Sequence, residues 1–153
     1  MTVEVSRVES ASDRNAFIKF PWRIYRDDPA WVPPLIIERK EFLNRDKHPF
    51  YRHGDAALFL ARKDGEIVGR IMASDDPNYN ALHQTNVGCF GMFESVNDPE
   101  VAAALFLFRG QVRVPRANGD LPVFRGTVHA ARVRGREPVQ SRVHAPYRGN
   151  GWK

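Results

Sequence analysis

The segment "DAALFLARKDGEIVGRIMAS", Asp55 to Ser74, constrains the fold more than any other part of the chain. Two apolar runs, Ala57–Ala61 and Ile67–Ala73, flank the turn "KDGE". Asp-Gly between apolar runs is a strong hairpin signal, because glycine takes the positive φ that a tight turn needs. An antiparallel pair of strands therefore sits at the centre of the chain, and the other elements have to pack on it.

Those elements can be read on either side. "TVEVSRV" alternates Val3, Val5 and Val8 with polar neighbours and predicts a first strand. "SASDRNAFIKFPWRIYRDDP" has Ser and Asp caps before Phe17, Ile18 and Phe20, so a helix is expected from about Ser12. Pro21 lies inside that pattern and is expected to kink or restart the helix. "DDPAWVPP" reads as a rigid extended linker, since a residue before proline avoids the helical region. "PLIIERKEFLN" places Leu35, Ile36, Arg39 and Phe42 at helical spacing, with Pro34 near the start. After the hairpin come a polar loop, "DDPNYNALHQTN", and an aromatic, glycine-rich strand, "NVGCFGMFES". "NDPEVAAALF" then opens a helix with Asn97 or Asp98 as cap and Glu100 in the first turn.

A chain of 153 residues, 42% of them hydrophobic, is one domain's worth and can bury a core. No run reaches the roughly 18 to 20 apolar residues of a membrane span. The start, "MTVEVSRVES", lacks the apolar centre of a signal peptide, and a single cysteine, Cys89, forms no internal disulfide. The expected location is cytoplasmic.

The pattern breaks at Arg109. Residues 1–100 hold 13 Lys and Arg against 16 Asp and Glu, whereas residues 101–153 hold 10 against 2. Isoleucine is absent after Ile71, and glycine and proline recur too often beyond Arg109 for a long helix. Short pieces such as "TVHAARVRG" are compatible with strands, but no period of 2 or 3.6 is sustained. Residues 1–108 are thus expected to form a folded unit and residues 109–153 an irregular Arg/Gly/Pro-rich tail.

"FPWRIYRDDPAWVPPLIIERKEFLN", "KHPFYRHGDAALFLARKDGEIVGRIMA" and "GCFGMFESVNDPEVAAALF" resemble the N-terminal part of a longer bacterial family in the GNAT (acyl-CoA N-acyltransferase) superfamily, some of whose members are linked to ceramide synthesis. The resemblance covers about Val3 to Phe106. It implies the first half of an α/β domain of α+β type: a mostly antiparallel sheet flanked by helices. It also implies acyl transfer to an amine in intact relatives, with acetyl-CoA or another acyl-CoA as co-substrate. The resemblance stops where the composition changes, after about two turns of the last helix. The tail's residues are those that GC-rich codons yield in any frame, so a frameshift near Leu105 to Arg109 is one origin for it and a genuine basic tail is the other.

A GNAT domain is expected to hold the CoA pyrophosphate on backbone N–H groups of a Gly-rich loop between its fourth strand and third helix. The matching loop, "ESVNDPEVA", has no glycine, and Glu94, Asp98 and Glu100 place negative charge there. No cofactor is expected on this chain by itself. "RGNGWK", Arg148 to Lys153, partly imitates the phosphate pattern through Arg148 and Gly151 and is read as a coincidence.

By the same resemblance Glu94, at the end of the fourth strand, is a candidate general base for an incoming amine; the alternative is a solvated strand-end carboxylate. Trp22, Trp31, Phe17, Phe20 and Tyr25 beside Arg23 and Arg26 read either as the wall of an acceptor groove or as packing between helices. The acceptor-binding candidates are Trp22, Arg23, Trp31 and His53. His48, His53 and Asp55 in "KHPFYRHGD" match no zinc spacing, so no metal is expected, and a structural loop is the alternative. Cys89 is expected to be a buried small hydrophobe, and His83 is the weakest candidate.

The expected function is that of a truncated N-acyltransferase-like chain, inactive alone, whose exposed sheet edge promotes self-association. The alternative is a small binding module whose basic tail contacts nucleic acid or anionic lipid.

Overall fold

The computed structural model describes residues 2–109 and 123–126. The chain forms an α+β fold around one sheet with strand order β1-β2-β3-β4-β5. β1 (Glu4–Arg7), β2 (Asp55–Lys63), β3 (Glu66–Asp75) and β4 (Val87–Ser95) are antiparallel neighbours. β5 (Val123–Gly126) runs parallel to β4.

The central hairpin closes as its sequence predicts. Lys63 faces Glu66 across a two-residue loop, and Asp64 and Gly65 both have positive φ, 54° and 81°. Two positive φ values define the mirror-image turn whose twist suits a hairpin. β2 is covered on both faces, which is why its sequence is a continuous apolar run. Ala57, Phe59 and Ala61 join Ile71, Ala73, Phe93, Val101 and Leu105 on one face. On the other, Leu60 packs with Phe17, Ile18 and Leu43, and Leu58 lies against that group.

The first face is covered by α4 (Pro99–Arg109), which runs 11 residues rather than the two turns expected. Val101 and Leu105 are fully buried, and the Phe106 ring packs against Phe90 and Phe93. The helix lies close to the sheet at Gly69, where a Cβ would stand 2.8 Å from Leu105 Cδ1 and 3.1 Å from Val101 Cγ1.

The second face is covered by α1 (Ala11–Ile24) and α2 (Ile36–Phe42). Ser10 caps α1 by accepting a hydrogen bond from the Asp13 N–H at 3.0 Å. Against expectation, α1 runs unbroken through Pro21. The following segment is not uniformly extended, because Asp28 folds back on it: its carboxylate accepts from the Ala30 N–H and its carbonyl from the Trp31 N–H. On α2 the inward positions are Ile36, as expected, and, just past the helix, Leu43 in place of the expected Phe42. Leu35 and Ile37 are exposed, and Phe42 is partly so.

Two further expectations change. The polar segment between β3 and β4 contains α3 (Pro77–His83), capped by the Asp76 carboxylate on the Asn78 and Tyr79 N–H groups. None of its residues is buried, so no apolar period announced it. Cys89 is exposed rather than buried. Of the tail, only Val123–Gly126 falls among the described residues, and there it adds a strand; "TVHAARVRG" and "RGNGWK" lie outside them.

Candidate functional site

Arg70 is the only arginine buried among the described residues, 5% exposed at the middle of β3. A guanidinium is held at such depth only when its donors are satisfied. Arg70 Nε donates to Glu94 Oε2 at 2.6 Å, and the two residues are cross-strand partners of β3 and β4. Arg70 Nη1 donates to the Phe17 carbonyl at 2.5 Å, and the guanidinium lies 4.9 Å from the centre of the Phe17 ring.

The Phe17 carbonyl explains the intact α1. It is the group four residues before Pro21, and in an ordinary helix it would accept the N–H of residue 21. Proline has none. Arg70 supplies a donor from the sheet in its place, so the proline gap in α1 and the buried charge in β3 satisfy each other.

Glu94 is therefore neither a solvated strand-end carboxylate nor an unpartnered base. Its side chain is 18% exposed, with Oε2 fixed by Arg70. The backbone beside it is irregular. The β3–β4 register shifts between Arg70 and Met72, and Met92 has a φ of 48°. This is a bulge, an extra residue that bends the strand and re-aims its side chains. β5 pairs only with Val87–Phe90, so among the described residues the outer edge of Gly91–Ser95 has no strand beside it.

Part of the aromatic cluster gathers around Trp31. Trp22 meets Trp31 edge-on at 5.4 Å between ring centres, and Tyr25 lies 5.3 Å from Trp31. All three are partly buried, while Phe17 and Phe20 belong to the core. Burial pushes the Tyr25 phenol above its ordinary value, and the nearby Glu94 charge adds to this while Arg70 opposes it. Tyr25 thus stands within electrostatic reach of the Arg70–Glu94 pair and stays a neutral phenol.

The other candidates lie elsewhere. Arg23 turns to the hairpin, donating to the Ile67 carbonyl and to Glu66. Arg26 pairs with its neighbour Asp27. His53 follows the 3-10 turn Pro49–Arg52, and its Nε2 is 3.6 Å from Asp76 Oδ1. That is the far end of β3, about 17 Å from Arg70 at the usual strand rise. His48 accepts from the Phe50 N–H at 3.4 Å, and Asp55 holds Arg45. His83 stacks on Tyr79. No group of three or more potential metal ligands occurs among the described residues, and no helix there is long and apolar enough to cross a membrane.

The β4–α4 loop is internally bonded. Asp98 Oδ1 accepts from the Glu100 N–H at 2.9 Å, and Lys63 Nζ bridges Asp98 Oδ2 at 2.9 Å and Glu100 Oε2 at 3.3 Å. The Lys63 ammonium holds the Asp98 carboxyl below its ordinary value, helped by the Glu100 N–H. The donors at the head of α4 already face a carboxylate.

Sequence reasoning named Glu94 and the aromatic wall but missed Arg70. The signal was there: one arginine in the otherwise apolar run "EIVGRIMAS".

No protein-family model matches the chain, and no solved structure matches it. Among curated proteins it is 45% identical over 95 residues to Protein YghO of Escherichia coli K12, covering 62% of this chain and 24% of that protein. It is 36% identical over 109 residues to the bacterial ceramide synthase of Caulobacter vibrioides, covering 68% of this chain and 27% of that protein. The chain therefore spans about a quarter of the length of the curated relatives it matches.

Proposed function

We propose that this chain carries the amine-acceptor side of an acyl-CoA-dependent N-acyltransferase of GNAT type. The observation that carries the reading is the Arg70–Glu94 pair at the bulge of β4, with Tyr25 in its electrostatic reach and Trp31 and Trp22 packed on from Tyr25. Partial similarity to a protein named bacterial ceramide synthase supports it, since a ceramide is an N-acylated long-chain amine.

In this reading the aromatic wall takes the alkyl part of the acceptor. Glu94 Oε1, the oxygen that Arg70 leaves to other partners, receives the amine. An ammonium is drawn to a carboxylate beside aromatic faces. Passing one proton to Glu94 or to water frees the nitrogen lone pair to attack the thioester carbonyl carbon. The carbon–sulfur bond then breaks and the thiolate leaves with a proton. Backbone N–H groups on the open edge of Gly91–Ser95 are suitably placed to stabilise the oxyanion.

The β4–α4 loop is a poor seat for the CoA pyrophosphate, because Asp98 and Glu100 occupy the head of α4. The chain alone is accordingly proposed to bind the amine and not to turn it over. Binding of a long-chain amino alcohol, followed by tryptophan fluorescence, tests this. Glu94→Gln and Trp31→Ala should each weaken binding about tenfold. Affinity unchanged in both variants would sink the reading.

A further inference from the structure

A second feature of α1 lies apart from the aromatic wall. Between the first half of α1 and the end of α2 is an open cleft of about 670 Å³, floored by buried Ile18 and rimmed by exposed charged side chains. Its polar lining is Arg14, Asn15, Lys40, Asn44, Arg45 and Asp46. This volume is in the range that holds a small organic ligand.

The charges on the lining are not equivalent. Arg45 is fixed: it donates to Asp55 and, at 3.0 Å, to the Ala56 carbonyl, and it lies over the Tyr51 ring at 5.1 Å. The Arg14 and Lys40 side chains make no ion pair or hydrogen bond to any described residue, although they come from different helices and meet at one cavity. Asn15 and Asn44 bring amide groups, and Asp46 is the one carboxylate. Two cations lining one concave polar site, neither of them paired among the described residues, are an arrangement that recognises an oxyanion.

We propose that this cleft binds a phosphoryl group, with Arg14 and Lys40 as its charge partners and the Asn15 and Asn44 amides as donors. Arg45, held by Asp55, forms a fixed wall. Arg14 precedes Trp22 by about 12 Å along the helix, so the cleft is separate from the acceptor wall and does not depend on acyl transfer. The phosphoryl group belongs either to a soluble phosphoester or to a lipid headgroup.

Both sources are tested on the full chain at low salt, by calorimetry with inorganic pyrophosphate and by flotation with phosphatidylcholine vesicles with and without phosphatidic acid. Arginines elsewhere in the chain contribute equally to every variant, so the comparison is between variants. Arg14→Gln/Lys40→Gln should weaken saturable binding about tenfold or more, while the charge-matched pair Arg7→Gln/Lys19→Gln, exposed and outside the cleft, changes it less than about twofold. Asp46→Asn should tighten binding by removing a repulsive charge, which no purely structural role would produce. Variant-sensitive pyrophosphate binding identifies a soluble phosphoester. The same sensitivity confined to phosphatidic acid vesicles identifies a headgroup. Binding to neither probe, or equal loss in both double variants, overturns the proposal.

Discussion

The pairing of Arg70 with Pro21 can be isolated by a double-mutant cycle. Arg70→Lys keeps a positive charge beside Glu94, but a single ammonium lacks the planar fork that serves a carboxylate and a carbonyl on different elements. With Pro21 in place, the Phe17 carbonyl then loses its donor inside a core where Phe17 and Ile18 are at most 2% exposed. An unsatisfied buried carbonyl costs about 1–3 kcal/mol. In the Pro21→Ala variant the helix supplies its own N–H, so the same Arg70→Lys change no longer orphans the carbonyl. The cost of Arg70→Lys should therefore be about 1–3 kcal/mol smaller in the Pro21→Ala background than in the parent. Urea unfolding of the four chains, followed by the fluorescence of Trp22 next to the proline, measures the difference. Additive costs, agreeing within about 0.5 kcal/mol, would refute the argument that Arg70 stands in for the missing N–H. The subtraction removes whatever Pro21→Ala does by itself to packing or to the unfolded chain.

The β4–α4 loop should show a defined pH dependence. Asp98 has its carboxyl held below the ordinary 3.8, so its pair with Lys63 stabilises the fold above that pH and the contribution is lost as pH falls through the lowered folded value. The Lys63 ammonium, bonded to Asp98 and Glu100, is held above 10.5, so its share is present below that pH and lost as pH rises through the raised value. Unfolding free energies of the parent and Lys63→Met should thus differ by a constant amount from about pH 5 to about pH 9 and begin to converge below about pH 4, as the carboxyl protonates in both states; a gap that does not narrow in acid would exclude the pair as its source. Gly54→Ala should cost about 1–3 kcal/mol, because the new Cβ would lie 2.5 Å from the Phe50 ring and 2.9 Å from the Asp75 carbonyl; an unchanged urea midpoint would show that the ring moves aside freely.

Much of the sheet was legible because local rules and tertiary packing agree there. Asp64-Gly65 demanded the hairpin, and the Asp98–Pro99 cap opened α4. The misses have physical causes. α3 buries nothing and is held by polar groups instead: the Asp76 cap, and Asn80, whose amide exchanges two hydrogen bonds with the Val87 backbone at 2.8 and 2.9 Å. A period-based reading cannot find such a helix, although Asp-Pro marked its start. On α2, Leu35 is the cap rather than the first turn and stays exposed, and the far end of the inward face falls on Leu43 instead of Phe42, while Ile36 packs inward as expected.

The Arg70 site was hidden for a different reason. Each half of it breaks a local rule: a proline well inside a helical pattern, and an arginine in an apolar strand at the centre of the sheet. Taken separately, a proline inside a helix favours a kink and a buried guanidinium carries a desolvation cost. Only their contact removes both penalties, and that contact joins residues far apart in sequence. The same guanidinium then fixes Glu94, at the bulge where β4 and β5 part. Places where local rules fail together and are reconciled by one long-range contact are the places where reading a sequence element by element fails. That convergence distinguishes the Arg70–Glu94 pair from Arg23 and His53, whose long-range contacts to Glu66, Ile67 and Asp76 are made by side chains at least a third exposed.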